Sequence, residues 1–225
     1  MPKKKHERFA ENATFPHFFQ LTFPEIQKGF ELKGKWKEFF GNDHPLILEL
    51  GCGKGEYIVA LSEKYPDRNF IGIDIKGARM WRGAKTTYEN NVKNAAFVRT
   101  RIDQIESLFG ENEVDGIWVT FPDPQPTKPR KRLTSPMFLN RYRKFLKPES
   151  IIHLKTDNLA FFEFTLSMIK SEGHELLFHT FDLYNSNIED DVMLTQTHYE
   201  KIFLEQGIPI KYLRFKLRCE EQPTE

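Results

Sequence analysis

In the stretch LELGCGKGE an acid, Glu49, stands two residues ahead of three glycines at alternate positions, Gly51, Gly53 and Gly55. Glycine lets a ligand approach bare backbone amides, and it tolerates the positive φ that a tight turn requires. A second apolar run, FIGID, ends in Asp74, at roughly the 20-residue spacing where an acid meets ribose hydroxyls. Dinucleotide sites carry G-x-G-x-x-G, whereas the spacing here is G-x-G-x-G behind a carboxylate. A carboxylate is awkward beside a pyrophosphate and suits a cationic or hydroxyl-bearing ligand. One nucleoside, no diphosphate and a cationic remainder describe S-adenosylmethionine. The plainer reading, a structural glycine turn, leaves both acids without a purpose.

The second constellation is TFPDPQPTKPRKRLTSP. Asp123 stands between Pro122 and Pro124, which stiffen the backbone around it. From Pro124 to Pro148 there is no acidic residue, while Lys128, Arg130, Lys131, Arg132, Arg141, Arg143, Lys144 and Lys147 are basic. A patch of one sign beside a candidate site suits a phosphate backbone, with a solvated basic loop as the plainer alternative. The seven histidines and two cysteines show no metal-ligand spacing, and no serine sits in a nucleophile elbow.

These residues need elements to hold them. Strands are expected at Leu46–Leu50, 69–75, 96–100, 115–121, 150–155, 175–183 and 210–217. Helices are expected after the glycine turn and at 77–90, 103–109, 135–146, Leu159–Ser171 and His198–Glu205. This alternation implies an α/β fold with a mostly parallel seven-stranded sheet and helices on both faces. Ligands then bind beyond the carboxyl ends of the strands, where every candidate residue falls.

The chain has 225 residues and a net charge of +1, enough for one large domain and no global pull toward nucleic acid. Residues 1–44 read as a mobile basic arm (Lys3, Lys4, Lys5, Arg8) and a Phe-rich packing extension, with Trp36, Phe39 and Phe40 as core. Residues 45–218 form the main domain and 219–225 a tail. Cys52 inside the glycine turn, far in sequence from Cys219, favours a reduced, cytoplasmic setting. No apolar run approaches the length of a membrane span.

Together LELGCGKGE, the FPDP turn with its basic tail and LTSPMFLNRY, LKTDN, and THYEKIFLEQGIPIKYLRFK resemble the bacterial tRNA (guanine-N7)-methyltransferase family across residues 46–216. The glycine motif is shared with many methyltransferases; the last three in this order are specific. The resemblance implies a Rossmann-like methyltransferase fold and methyl transfer from S-adenosylmethionine to guanine N7 in tRNA, at the variable-loop position 46. It implies cofactor contacts from Glu49, Asp74, Asp103 and Asp123, with Asp123 also catalytic. It assigns tRNA contacts to Asp157, Thr197, His198, Tyr199 and Glu200, to which the basic tract adds Arg130, Lys131 and Arg132. The family's D-P-W-P has Gln125 in place of tryptophan, and Thr127 replaces a lysine, leaving Lys128 as the candidate there.

Three other functions compete. A methyltransferase for another RNA or a small molecule shares the glycine motif, but a small-molecule enzyme gains nothing from the basic tract. A dinucleotide-dependent oxidoreductase explains Asp74 but not Glu49. A non-catalytic RNA-binding module explains the basic tract alone.

Overall fold

Strands that are apolar at nearly every position must be covered on both faces, and this chain supplies helices for both. The computed structural model describes residues 4–188 and 196–218. The first part contains α1 (Lys5–Asn12), the short strand β1 (Phe18–Gln20), α2 (Phe23–Lys28) and α3 (Trp36–Phe40). Alternation then begins with β2 (Leu46–Leu50), α4 (Glu56–Lys64), β3 (Asn69–Asp74), α5 (Gly77–Glu89) and β4 (Ala95–Arg99). A 3-10 helix at Ile102–Ser107 leads to β5 (Val114–Thr120). There follow α6 (Pro136–Tyr142), β6 (Leu146–Thr156), α7 (Leu159–Ser171), β7 (Glu175–Thr180), α8 (His198–Glu205) and β8 (Lys211–Lys216).

The strands form one eight-stranded sheet in the order β1-β4-β3-β2-β5-β6-β8-β7. Only β8 runs against its neighbours, pairing antiparallel with β6 and β7. The chain winds outward from β2 through β3 to β4, then returns to lay β5 against the other side of β2. At such a reversal the connections part above the strand ends and leave a crevice. One face of the sheet buries Leu48, Ile71, Val119 and Phe162, and the other Tyr57, Phe70, Phe97 and Tyr212.

Four expectations need correction. The sheet has an eighth strand, because Phe18–Gln20 pairs with the outer edge of β4. Three residues carry no periodicity, so only the free edge identifies them as a strand. The basic arm is also ordered from Lys5. The buried Asn12 side chain donates to the Gly77 carbonyl at 2.9 Å, and Trp81 Nε1 donates to Glu11 at 2.6 Å. Those partners lie far away in sequence and could not be read locally. The helix expected at 135–146 stops at Tyr142, and β6 takes over at Leu146, carrying Pro148 past an irregular register with β5. The segment 103–109 is a six-residue 3-10 helix, Ile102–Ser107. Trp36 is core, at 1 % exposure, with Phe39 and Phe40 packed half-buried against the same cluster. Lys3, Cys219 and the tail lie outside the described residues.

Gly53 and Gly55 separate two demands on the glycine turn. Both are left-handed, at φ 57° and 71°. A Cβ on Gly53 would meet nothing closer than 3.9 Å, whereas on Gly55 it would lie 2.6 Å from the Phe97 ring. Alanine at either site carries the same left-handed strain, about 1–2 kcal/mol. Urea unfolding should show Gly55→Ala losing about 1–3 kcal/mol more, from overpacking against Phe97. Equal losses would mean that the ring yields freely.

Candidate active site

The crevice above β2, β3, β4 and β5 holds a cavity of about 440 Å³, and the acids expected from the sequence line it. Glu49, the fourth residue of β2, lines the cavity and is 2 % exposed. Its Oε1 accepts the Thr120 hydroxyl at 2.5 Å, and its Oε2 has no hydrogen-bond partner. Burial pushes the carboxyl up to about 8; the Thr120 hydroxyl pulls it back, and the Asp74 and Glu56 charges add to the rise. An unsatisfied buried oxygen is costly, and a cationic or hydroxyl ligand in the cavity would satisfy it.

Asp74 ends β3 and clasps the glycine turn. One oxygen accepts the Gly53 amide at 3.0 Å and the other the Lys76 amide at 2.8 Å. Each oxygen keeps a lone pair toward the cavity, where ribose hydroxyls would reach it. Ile75 follows, 51 % exposed, and lines the cavity with an apolar surface suited to a flat ring. Asp103 lines the far wall; it pairs with Arg101 at 2.9 Å, and its carbonyl is held by Arg141. Cys52 is a buried free thiol whose pKa burial raises, consistent with packing rather than nucleophilic chemistry.

Asp123 stands exposed at the mouth, directly past β5. Its Oδ1 accepts the Gln125 amide at 3.1 Å. Phe121 and Gln125, on either side, are non-glycine residues at φ 47° and 45°. Such backbone strain persists only where surrounding contacts impose it. Phe121 is held by its amide to the Lys155 carbonyl at 2.9 Å and by its ring against Phe203. The loop is held by Arg132, whose Nε donates to the Pro124 carbonyl at 2.9 Å and whose guanidinium lies 4.6 Å over Phe164.

Arg132 is therefore a buried brace at 7 % exposure, and its expected RNA contact is corrected. The basic tract is also smaller in space than in sequence. Lys144 pairs with Glu106 at 2.6 Å, Arg141 with the same acid at 3.8 Å, and Lys147 with Asp115 at 2.6 Å. Within this tract the exposed cations left without a carboxylate among the described residues are Lys128, Arg130 and Lys131, and Lys131 lines the cavity.

The T-x-Y-E segment divides similarly. Thr197 caps α8 by accepting the Glu200 amide, and with Tyr199 it lines the cavity. Glu200 is fully buried: Oε1 accepts Lys155 at 2.6 Å and Tyr184 at 2.8 Å, and Oε2 accepts the Thr197 amide at 3.2 Å. It positions the wall from below, and its expected contact with tRNA is corrected. His198 is exposed but outside the cavity lining, its amide donating to Glu56 at 2.9 Å. Asp157 likewise sits past the end of β6, outside that lining. Thr120 and Lys155 are site residues that sequence reasoning missed. Each is a polar residue at the end of an apolar strand, the one local signal that marks it.

A doubly wound sheet with a glycine turn, a buried acid free to take a cation and an acid at the ribose position defines a methyltransferase dependent on S-adenosylmethionine. Residues 43–213 match the family model described as "Putative methyltransferase". The tRNA (guanine-N(7)-)-methyltransferase of Bacteroides thetaiotaomicron is 51 % identical over 96 % of this chain and 87 % of that protein. The same enzyme of Christiangramia forsetii is 52 % identical over 96 % and 99 %. The chain belongs to the tRNA (guanine-N7)-methyltransferase family. Solved structures show the same fold at low identity: the 16S rRNA methyltransferase KamB has a TM-score of 0.64 at 14 % identity, covering 82 % of this chain and 93 % of its own. The 16S rRNA (adenine(1408)-N(1))-methyltransferase from Catenulisporales acidiphilia gives 0.59 at 15 %, over 84 % and 93 %. Among the described residues no helix is long and apolar enough to cross a membrane.

The residues fit the cofactor: Glu49 offers a buried free oxygen, and Gly53 leaves the space a Cβ would fill open. A cofactor cation held by Glu49 would make its binding pH-dependent. The folded carboxyl titrates near 8 against an ordinary 4.5, so the stability due to its neutral form is full below about pH 4.5 and lost as pH rises through 8. A cation at Oε2 favours the charged form and expels the proton. Calorimetry of S-adenosylmethionine binding at pH 7, in two buffers of different ionisation enthalpy, should detect proton release that Glu49→Gln abolishes. The same proton count in both proteins would show that Glu49 does not face the cation.

Proposed function

We propose that the enzyme methylates N7 of the variable-loop guanine of tRNA, with Asp123 as the residue that stabilises the reacting base. What carries this reading is the placement of Asp123 on a strained, braced turn at the cavity mouth, with Lys128, Arg130 and Lys131 immediately beyond it. S-adenosylmethionine, when bound, supplies an electrophilic sulfonium methyl. Guanine N7 has an in-plane lone pair and no proton, so no residue need act as a general base. The chain's task is alignment and electrostatic support. Methylation leaves the ring cationic, and the fixed negative charge of Asp123 favours that charge as it develops. Thr197 and Tyr199 also line the cavity, where the tyrosine ring, 42 % exposed, is free to stack on a base. Lys128, Arg130 and Lys131 hold the RNA backbone. A tRNA substrate and the reduced thiol of Cys52 both suit the cytoplasm.

Two measurements test the reading. Purified protein should methylate transcribed tRNA at a site open to N7-specific chain cleavage, and replacing that guanosine by 7-deazaguanosine should abolish transfer. Asp123→Asn keeps size and hydrogen bonding but removes charge, so turnover should fall roughly 100-fold or more with tRNA binding little changed. A chemical step that climbs tenfold per pH unit through neutrality would instead indicate a general base.

Arg130→Glu with Lys131→Glu should raise the KM for tRNA and reduce the salt slope of binding by about 2, while Arg132→Ala should lower turnover by releasing the Asp123 loop. An unchanged salt slope would reduce the tract to a solvated loop.

A further inference from the structure

The basic amino-terminal arm has no role in the site just described, yet the fold places its helix against α5, at the rim of the cavity. Lys76 and Arg79, at the start of α5, line that rim on the side of Asp74, away from the 128–131 loop. Arg82 lies one further step along, outside the cavity lining. All three are exposed, and none has a carboxylate partner among the described residues. Lys76 immediately precedes the helix, and Arg79 and Arg82, three residues apart within it, are neighbours on its surface about 4.5 Å apart along the axis. The positive end of the α5 dipole adds to their field. One turn later the charge is cancelled, since Lys85 is held by Glu11 at 3.0 Å and Glu89 at 3.4 Å.

Docking of α1 extends this surface. Arg8 donates to the Ala78 carbonyl at 3.3 Å and lies 4.9 Å over Trp81. Of the two acids of α1, Glu11 is occupied by Trp81 and Lys85, and Glu7 accepts the Lys4 amide at 2.8 Å. Lys5 remains exposed at the first position of α1.

We propose that α1 and the first half of α5 form a second RNA-phosphate surface, gripping the substrate tRNA on the rim of the cavity opposite Lys128, Arg130 and Lys131. This rests on the tRNA reading above. Between the rims the cavity presents Asp74, Asp103 and Asp123, carboxylates that disfavour phosphate and admit a base. The backbone is therefore carried on the cations at either side while the target nucleoside turns inward between them, which a base must do to reach a buried methyl group.

The test uses Lys5→Glu with Arg82→Glu, since neither residue lines the cavity, and Arg79→Glu separately. Filter binding and steady-state kinetics with transcribed tRNA should show KM for the double variant rising about tenfold or more, with turnover at saturating tRNA retained. The log–log salt slope of tRNA binding should fall by about 1.5 to 2. Calorimetric affinity for S-adenosylmethionine and the urea midpoint should match wild type. An unchanged salt slope and KM in the double variant, with an active wild type, would overturn the second surface alone. A wild type that fails to methylate tRNA would overturn the tRNA reading itself. Arg79→Glu should also raise the tRNA KM; weakened cofactor affinity with no change toward tRNA would assign that rim to the cofactor and refute the proposal.

Discussion

The Asp74 carboxylate joins the glycine turn to the start of α5 at the cavity. Through one oxygen it holds Gly53, in the turn after β2, and through the other it holds Lys76, where α5 begins. Two neighbouring parallel strands thus end in a single hydrogen-bonded unit, and the cavity keeps its shape without side chains filling it. The arrangement explains why Gly53 must be left-handed: its amide turns out of the strand direction to reach the acid, while the Gly51 and Gly55 amides donate to the Ile73 and Cys52 carbonyls. It also fixes where α5 starts, and with it the positions of Ile75, Arg79 and the docked α1.

Behind the cradle lies a buried set of charges that suits a cationic cofactor. Glu49 is forced toward its neutral form by burial, and Lys155 is drawn down by the same cause, then partly restored by Glu200. Buried ion pairs contribute less to stability than their distances suggest, because desolvation opposes the attraction. The Lys155–Glu200 pair is better understood by what it joins. It ties the end of β6 to α8, and so sets Thr197 and Tyr199 in the cavity wall while the backbone carbonyl of the same lysine restrains Phe121 beside Asp123. The cavity wall at Thr197 and Tyr199 and the turn that carries Asp123 meet at one lysine.

Folding also edits the surface charge. The tract from Pro124 to Pro148 has no acid in sequence, but Glu106 and Asp115 reach it from elsewhere and cancel Arg141, Lys144 and Lys147. What survives is concentrated in Lys128, Arg130 and Lys131. On the opposite rim Asp74, which precedes α5, is taken up by the Gly53 and Lys76 amides, while Lys76, Arg79 and Arg82 stay exposed. A protein with a net charge of +1 can thus bind a polyanion, because only the local distribution matters at a Debye length of about 8 Å.

Most of the sheet, the glycine turn, the acids at Glu49 and Asp74 and the isolated Asp123 were legible from sequence alone, since each rests on local periodicity, glycine spacing or proline restraint. So were α7 and α8, whose starts are marked by Asn158 and by the Thr197–Glu200 capping box. The tertiary structure alone decided β1, the docking of α1, the burial of Arg132 and Glu200 and the size of the basic patch. All of these depend on partners distant in sequence: the edge of β4, the Gly77 carbonyl, the Pro124 carbonyl and Lys155. A residue's type states which bonds it can make. Which of them it makes, and whether it is left facing solvent, is set by what the fold brings beside it.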